Sequence, residues 1–224
     1  MTEQVVAIVP MRHDSERVPG KNYRLLGNRP LFHHILEALA ASPRVSRTVI
    51  DTDSAVIRAD AERRFPDVTV LERPDHLRGG MVPMNDVLLN DVAQVNADVF
   101  LQTHSTNPLL RSQTISAAID RFFELPPSHD SLFGVTRLQT RLWSADATPI
   151  NHDPKVLLRT QDLPPVYEEN SCLYVFTRKS IERHGNRIGE RPALFEIPRD
   201  EAWDIDEESD WSVVEALYER QAQP

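Results

Sequence analysis

A single cysteine, Cys172, stands in the 224-residue chain, so no internal disulfide can form and a reducing, cytoplasmic setting is expected. Its place in the apolar run CLYVF makes it a buried core thiol rather than a reactive one. Glycine is scarce, seven against seventeen prolines, which favours firm turns. No G-x-G-x-x-G occurs, and this excludes the dinucleotide fingerprint. Gly20-Lys21 is followed by Asn22, with no glycine five residues before Gly20, so a Walker A loop is excluded too. No window approaches the ~20 apolar residues that span a membrane. The opening MTEQVVAIVP lacks the basic segment of a secretory signal. Positive charge is in deficit: 25 Lys+Arg against 34 Asp+Glu leave a net charge of −9. That balance argues against nucleic acid or an anionic membrane as the main partner. With 40% hydrophobic residues and no repeat, linker or low-complexity tract, residues 1–224 read as one soluble globular domain.

Against that acidic background, the stretch VVAIVPMRHDSERVPGKN from Val5 to Asn22 stands out. Val5 to Val9 is an apolar run that reads as a buried strand. It leads into a loop carrying Arg12, Arg17 and Lys21 among Ser15, Pro19 and Gly20. Guanidinium forks and an ammonium match phosphate oxygens. On the residues alone, this loop is either a polyphosphate cradle or a solvated basic loop.

Helix and strand signals alternate downstream. Pro30 to Ala41 has helical spacing of Leu31, Ile35, Leu36 and Leu39, and His33 and His34 on it read as packing or surface residues. Arg47 to Asp53 is a strand. Ser54 caps a helix to Phe65, and Val68 to Glu72 is a third strand. After the loop Arg73 to Asp86, a helix covers Pro83 to Val95, Asp98 to Gln102 is a central strand, Ser112 caps a helix to Glu124, and Leu132 to Val135 is a strand. Such alternation predicts an α/β fold, an open and mostly parallel twisted sheet with helices on both faces. Ligands bind beyond the carboxyl ends of such strands, so the basic loop, Asp51 to Asp53 and Gln102 can share one crevice. Leu138 to Asn170 breaks the pattern, with Pro149, Pro154, Pro164 and Pro165 and no periodic run, and is too long for an ordinary connection. Strands then follow at Ser171 to Thr177 and Ala193 to Ile197, with a short helix near Ile181 between them and a last helix from Trp211 to Arg220.

Asp204 and Asp206 lie two apart in AWDIDEESDW. In an extended segment both carboxylates share one face, and two carboxylates aimed at one spot suit Mg²⁺, which keeps water and phosphate as its other ligands. The same cluster also reads as the acidic first turn of a helix, with Glu207, Glu208 and Asp210 complementing its dipole.

The pattern R-x-x-S-x-R-x-P-x-K-N, formed by Arg12, Ser15, Arg17, Pro19, Lys21 and Asn22, resembles the amino-terminal motif of CMP-sugar synthetases, the acylneuraminate cytidylyltransferases, with KDO cytidylyltransferases as relatives. The resemblance extends over most of the chain and implies a Rossmann-like nucleotidyltransferase fold. It also implies that Arg12, Ser15, Arg17, Lys21 and Asn22 hold CTP, with Arg73 on the cytidine side. Gln102 and Asn170 would contact the acid sugar, and Asp204 and Asp206 would bind Mg²⁺. Arg12, Lys21 and Asp204 would carry catalysis: the anomeric hydroxyl of a 2-keto-3-deoxy sugar acid attacks the α-phosphorus and pyrophosphate leaves. Residues 138–170 would project and pair two subunits into a homodimer. His13 and Asp14 depart from the family pattern, and His76 and Arg78 receive no role from it. Glu168 stands where the family places a carboxylate-binding arginine, so either another cation such as Arg137 or Arg141 takes that role or the sugar differs. A metal-dependent glycosyltransferase and a non-catalytic nucleotide-binding protein are the alternatives from other classes.

Overall fold

The computed structural model describes residues 4–222. Seven strands form one twisted sheet: β1 (Val5–Met11), β4 (Val45–Thr52), β5 (Thr69–Glu72), β6 (Val99–Thr103), β7 (Ser131–Leu138), β8 (Val166–Thr177) and β9 (Pro192–Glu196). Their order is β5-β4-β1-β6-β8-β7-β9, and a small hairpin of β2 (Leu25–Leu26) and β3 (Arg29–Pro30) stands apart. β8 runs antiparallel to both its neighbours, β6 and β7, while the other pairings are parallel. The sheet is therefore mostly parallel, as the alternation predicts.

Helices cover both faces. α1 (Leu31–Ala40), α2 (Ala55–Arg64) and α4 (Ser112–Glu124) pack Phe32, Ile35, Ile57, Ile115 and Ile119 against Val5, Ala7, Val9 and Leu101. α3 (Met84–Gln94) and α5 (Arg178–His184) place Leu88, Val92 and Ile181 against Val6, Ile8 and Phe100 on the other face. The strict alternation along β1, odd residues to one layer and even to the other, explains why that strand is apolar throughout. Ser54 caps α2 by accepting from Ile57 N–H at 3.3 Å. Ser112, expected as a cap, is instead the first residue of α4, and Arg111 precedes it without a side-chain cap. His33 and His34 are both buried; His33 meets Asp60 at 2.5 Å, and His34 Nε2 approaches the Leu26 carbonyl at 3.1 Å. Cys172 is fully buried.

β8 begins at Val166, not Ser171, and pairs its first residues with the end of β7, Val166 opposite Leu138. Tyr and Glu side chains in this early part face solvent, so no apolar signal marks it. The ladder skips from Phe133–Tyr174 to Val135–Glu169. The residues between, Asn170 to Leu173, form a bulge relative to β7, although Leu173 still pairs with Thr103 of β6, and Ser171 adopts a left-handed φ of 57°. Bulges re-aim side chains at the rims of sites.

A separate small core decides the site. Val18, Leu26, Leu31, Leu109, Ile205, Trp211 and Val214 cluster together. They join the basic loop, the small hairpin, the loop after β6 and the start of α6 (Glu208–Ala222). Arg24 ties that start down, bonding both Glu208 oxygens at 2.7 Å and lying 4.1 Å from the Trp211 ring centre. Ile205 is fully buried and stands between the two aspartates. Ile205→Ala should cost about 2–5 kcal/mol in chemical denaturation, the usual range for emptying a buried aliphatic site. A loss below that range would show that the cluster does not anchor the segment.

Candidate active site

The basic loop and the aspartate segment, nearly two hundred positions apart, meet beyond the carboxyl ends of β1 and β6. Arg17 Nη2 lies 2.7 Å from Asp206 Oδ1, and Lys21 Nζ lies 3.8 Å from the same oxygen. Lys21 Nζ also donates to the Ile205 carbonyl at 2.5 Å. Gly20 makes the loop's turn in a left-handed conformation, φ 67°, and a Cβ there would stand 2.9 Å from the Tyr23 ring. Asn22 is buried and structural: its Nδ2 donates to the Arg12 carbonyl at 2.7 Å, and its Oδ1 accepts from Ser105 at 2.7 Å. Ile205 N–H donates to the Thr106 carbonyl at 2.9 Å. Three loops are thus laced by hydrogen bonds around one space. The Ser15 hydroxyl accepts from Val18 N–H at 3.3 Å and tightens the loop from within.

That space is a cavity of about 520 Å³ lined by Arg12, Ser15, Arg17, Lys21 and Asn22 on one side and by Arg73 and the segment Gly79 to Met84 on another. Its size falls in the roughly 300–1,000 Å³ range of small-molecule sites. A second cavity, also about 520 Å³, is lined by Thr136, Leu138, Glu168, Glu169, Asn170, Arg199 and Trp203. Ser171, Asp204 and Asp206 line both, so the two cavities share a neck at the aspartates and the β8 bulge.

The acidic cluster divides by role. Asp210 accepts from the N–H groups of Asp206 and Glu207, at 2.9 and 2.7 Å, and so fixes the entry to α6. Asp204 and Asp206 face the cavities. Asp204 Oδ1 is buried with no hydrogen-bond partner, an orphaned acceptor that a cation would satisfy. Burial raises the Asp204 pKa; Thr106 and Lys21 pull against it, and Asp206 adds to it. Burial lowers the Lys21 pKa, opposed by both aspartates. Among the described residues no group of three or more His, Cys, Asp or Glu side chains is gathered to hold a metal. Two carboxylates beside a cavity with phosphate-matching cations are a donor set that fits Mg²⁺, which binds through one or two carboxylates plus phosphate.

Three residues singled out in the sequence already have hydrogen-bond partners within the protein. Gln102 is fully buried: Nε2 donates to the Thr103 carbonyl at 3.1 Å and contacts His104 Nε2 at 2.8 Å, while Oε1 accepts from Arg187 at 2.7 Å. His104 is pushed down to about 3 by burial, with Arg187 and Lys21 adding, and stays neutral. Arg73 borders the first cavity but is 2% exposed and pairs with Asp51 at 2.6 Å. Asp51 therefore does not reach the crevice, and Asp53 is occupied by the His13 N–H at 2.7 Å. Asn170 lines the second cavity; its Nδ2 donates to Thr136 Oγ1 at 3.2 Å and its Oδ1 accepts from Cys172 N–H at 3.2 Å. Neither Arg137 nor Arg141 borders the second cavity. Arg137 alternates with Thr136 and Leu138 along β7 and takes the opposite face, and Arg141 bonds the Leu158 carbonyl. Arg199 is the cation there. His76 and Arg78 lie outside both cavities, Arg78 bonding the Arg73 carbonyl at 2.9 Å. Arg187 and Arg199 had no sequence signal, since only folding brings their segments to the sheet's edge.

A protein-family model described as Cytidylyltransferase matches residues 6–220. The chain is 28% identical over 228 residues to CMP-N,N'-diacetyllegionaminic acid synthase of Legionella pneumophila, covering 96% of this chain and 97% of that one. It is 26% identical over 227 residues to N-acylneuraminate cytidylyltransferase of Oncorhynchus mykiss, covering 94% of this chain but only 49% of that longer protein. With 3-deoxy-manno-octulosonate cytidylyltransferase of Trichlorobacter lovleyi it shares 30% identity over 123 residues, 55% of this chain and 46% of that one. Among solved structures, CMP:2-keto-3-deoxy-manno-octonic acid synthetase complexed with CTP has the same fold, with TM-score 0.72 at 14% identity over 98% of this chain and 100% of that one.

One buried group beside the site has a measurable signature. Asp91, fully buried, shares Arg73 with Asp51, so two carboxylates face one guanidinium. Asp51 Oδ1 and Asp91 Oδ2 are both buried without hydrogen-bond partners. Burial, with the Asp51 charge second, pushes Asp91 up to about 8. The folded state then holds a proton that the unfolded chain releases near pH 4, so stability falls as pH rises from about 4 to about 8. In Asp91→Asn this slope should flatten, read from urea midpoints across that window. Arg73→Met, which strands Asp51, should cost about 3–5 kcal/mol. An unchanged slope in Asp91→Asn would mean that the proton is held elsewhere.

Proposed function

The chain belongs to the cytidylyltransferase family, and on that premise we propose that it transfers CMP from CTP to the anomeric hydroxyl of a 2-keto-3-deoxy sugar acid of the nonulosonic type, releasing pyrophosphate. The observation that carries this reading is the meeting of Arg17 and Lys21 with Asp206 at a neck joining two cavities. A two-substrate transfer needs that arrangement: one cavity for the nucleotide, one for the acceptor, and charge stabilisation where they touch. The match over nearly the whole length of the legionaminate synthase favours a nonulosonic acid over KDO.

In this reading Arg12, Arg17 and Lys21 hold the triphosphate, with the turn at Ser15 and Asn22 keeping them in place. Arg73, immobilised by Asp51, forms a fixed wall on the cytidine side. Asn170 and Arg199 meet the sugar, and Gln102 acts behind the wall rather than at it. The positive charges of Arg12, Arg17 and Lys21 stabilise the transferring phosphoryl and the pyrophosphate that departs. A divalent cation held by Asp204 and Asp206 would supply Lewis-acid charge and lower the pKa of the attacking hydroxyl. His104, held neutral, is not needed as a base. CTP as substrate and a free thiol favour a cytoplasmic enzyme. No helix among the described residues is long and apolar enough to cross a membrane.

Residues 138–170, the hairpin excursion, carry Trp143, Ile150, Val156 and Leu157 exposed, Leu157 at 87%. Such apolar exposure on one projection supports a homodimer through this segment.

Incubation with CTP, Mg²⁺ and N-acetylneuraminate, N,N'-diacetyllegionaminate or 3-deoxy-manno-octulosonate should release pyrophosphate with at least one acid. Lys21→Ala should lower turnover by about 10²-fold or more. Near-normal turnover in that variant, or no pyrophosphate with any of the three, would reject the assignment. Sedimentation should give a dimer, converted to a monomer by Ile150→Glu with Leu157→Glu; a monomeric wild type would remove the pairing role.

A further inference from the structure

Arg187 carries a charge that the known motifs leave unused. It lies in the connection between α5 and β9, where the Asn85 side-chain oxygen holds its backbone N–H at 3.1 Å. Its guanidinium lies 3.6 Å from the Tyr174 ring centre and donates to Gln102 Oε1 at 2.7 Å. These partners are an aromatic face and a neutral amide, and among the described residues it forms no ion pair. Gln102 is itself fixed by Thr103 and His104, and the Tyr174 hydroxyl by Glu169. The guanidinium is therefore held rigidly, half-buried, with no carboxylate in direct contact and only the more distant Glu169 to offset its charge. It lines the first cavity together with Ser171 and Asp204, the residues of the neck. A partly desolvated charge with no directly bonded counter-ion gains when an anion arrives.

The chemistry of a 2-keto acid narrows which anion. Its anomeric carbon bears both the attacking hydroxyl and the carboxylate. When that hydroxyl reaches the phosphorus at the neck, the carboxylate is only two bonds away. The triphosphate already has Arg12, Arg17 and Lys21. The second cavity holds Glu168, which repels a carboxylate, and its one cation, Arg199, lies away from the first cavity; Glu169 is engaged by the Tyr174 hydroxyl. Resting on the cytidylyltransferase reading above, we propose that Arg187 binds the carboxylate of the acid sugar at the neck, with Gln102 and Tyr174 as its positioning residues. The loss of an arginine at position 168 is then no loss of acid recognition.

The test uses whichever of the three sugar acids the wild type turns over fastest. Arg187→Met should raise the sugar KM by about 10- to 100-fold, the scale for losing a charge-assisted hydrogen bond. CTP affinity, measured by calorimetry without sugar, should stay within about twofold and shows that the variant is folded. Arg187→Lys should restore part of the loss. Wild type should bind the free acid over its methyl ester, and Arg187→Met should lose that preference. Gln102→Glu, which gives Arg187 a carboxylate of its own, should raise the sugar KM without lowering the Tm. A fall in CTP affinity with the sugar KM unchanged would assign Arg187 to the nucleotide and overturn the proposal, as would an unchanged acid-over-ester preference. Pyrophosphate release by wild type with no effect of Arg187→Met rejects this inference alone; no release with any acid removes both readings.

Discussion

Ile205 is the constraint on which the site depends. Its side chain is locked in the small core with Val18 and Trp211, while its N–H is taken by Thr106 and its carbonyl by Lys21. The middle residue of the triplet is buried in that core, while its two neighbours line the cavities. Asp204 and Asp206 therefore face the cavities because an isoleucine between them faces inward. The same core holds Val18, and through it the loop that carries Arg17 and Lys21. One apolar contact thus sets the distance between two opposite charges from the two ends of the chain.

The charges so gathered are poised rather than locked. Arg17 and Asp206 are both about half-exposed, and such a pair contributes little to stability. A polyanion and a cation can take over its two partners at small cost. Arg73 and Asp51 are the opposite case, a fully buried pair whose rupture leaves a stranded charge. The Arg73 side of the first cavity is rigid for that reason, while the basic loop can exchange partners. The overall charge of −9 makes this local arrangement more selective, since the whole-molecule field does not draw anions in.

Much of the fold was legible because it is written in local periodicity. The apolar strand β1, the helix from Leu31 and the alternation up to Ser131 follow from patterns that need no long-range information. β8 is legible only from Ser171, because its first residues pair at an exposed hairpin and carry Glu and Tyr there. Its antiparallel direction leaves no mark on composition. Gln102 was visible as a residue at a strand end, yet its amide turned out to be spent on Thr103, His104 and Arg187. Arg137 was a plausible cation by proximity in sequence, but the two-residue pleat of β7 sends it to the wrong face.

By itself the sequence determined the kinds of chemistry present: a phosphate-matching basic loop after a buried strand, a pair of aspartates at alternate positions, and one inert thiol. Those are properties of residue type and short spacing, which survive without a fold. Only the tertiary structure decided which groups share a wall. Arg187 and Arg199 lie in segments with no motif, and they reach the cavities because β9 and the connections around it are packed against β7. Burial is a property of the whole assembly: it keeps His104 neutral, strands the oxygen of Asp204 and, among the described residues, leaves Arg187 without a direct ion pair. Proximity between distant segments is set by packing energy summed over the sheet, and no local pattern encodes that sum.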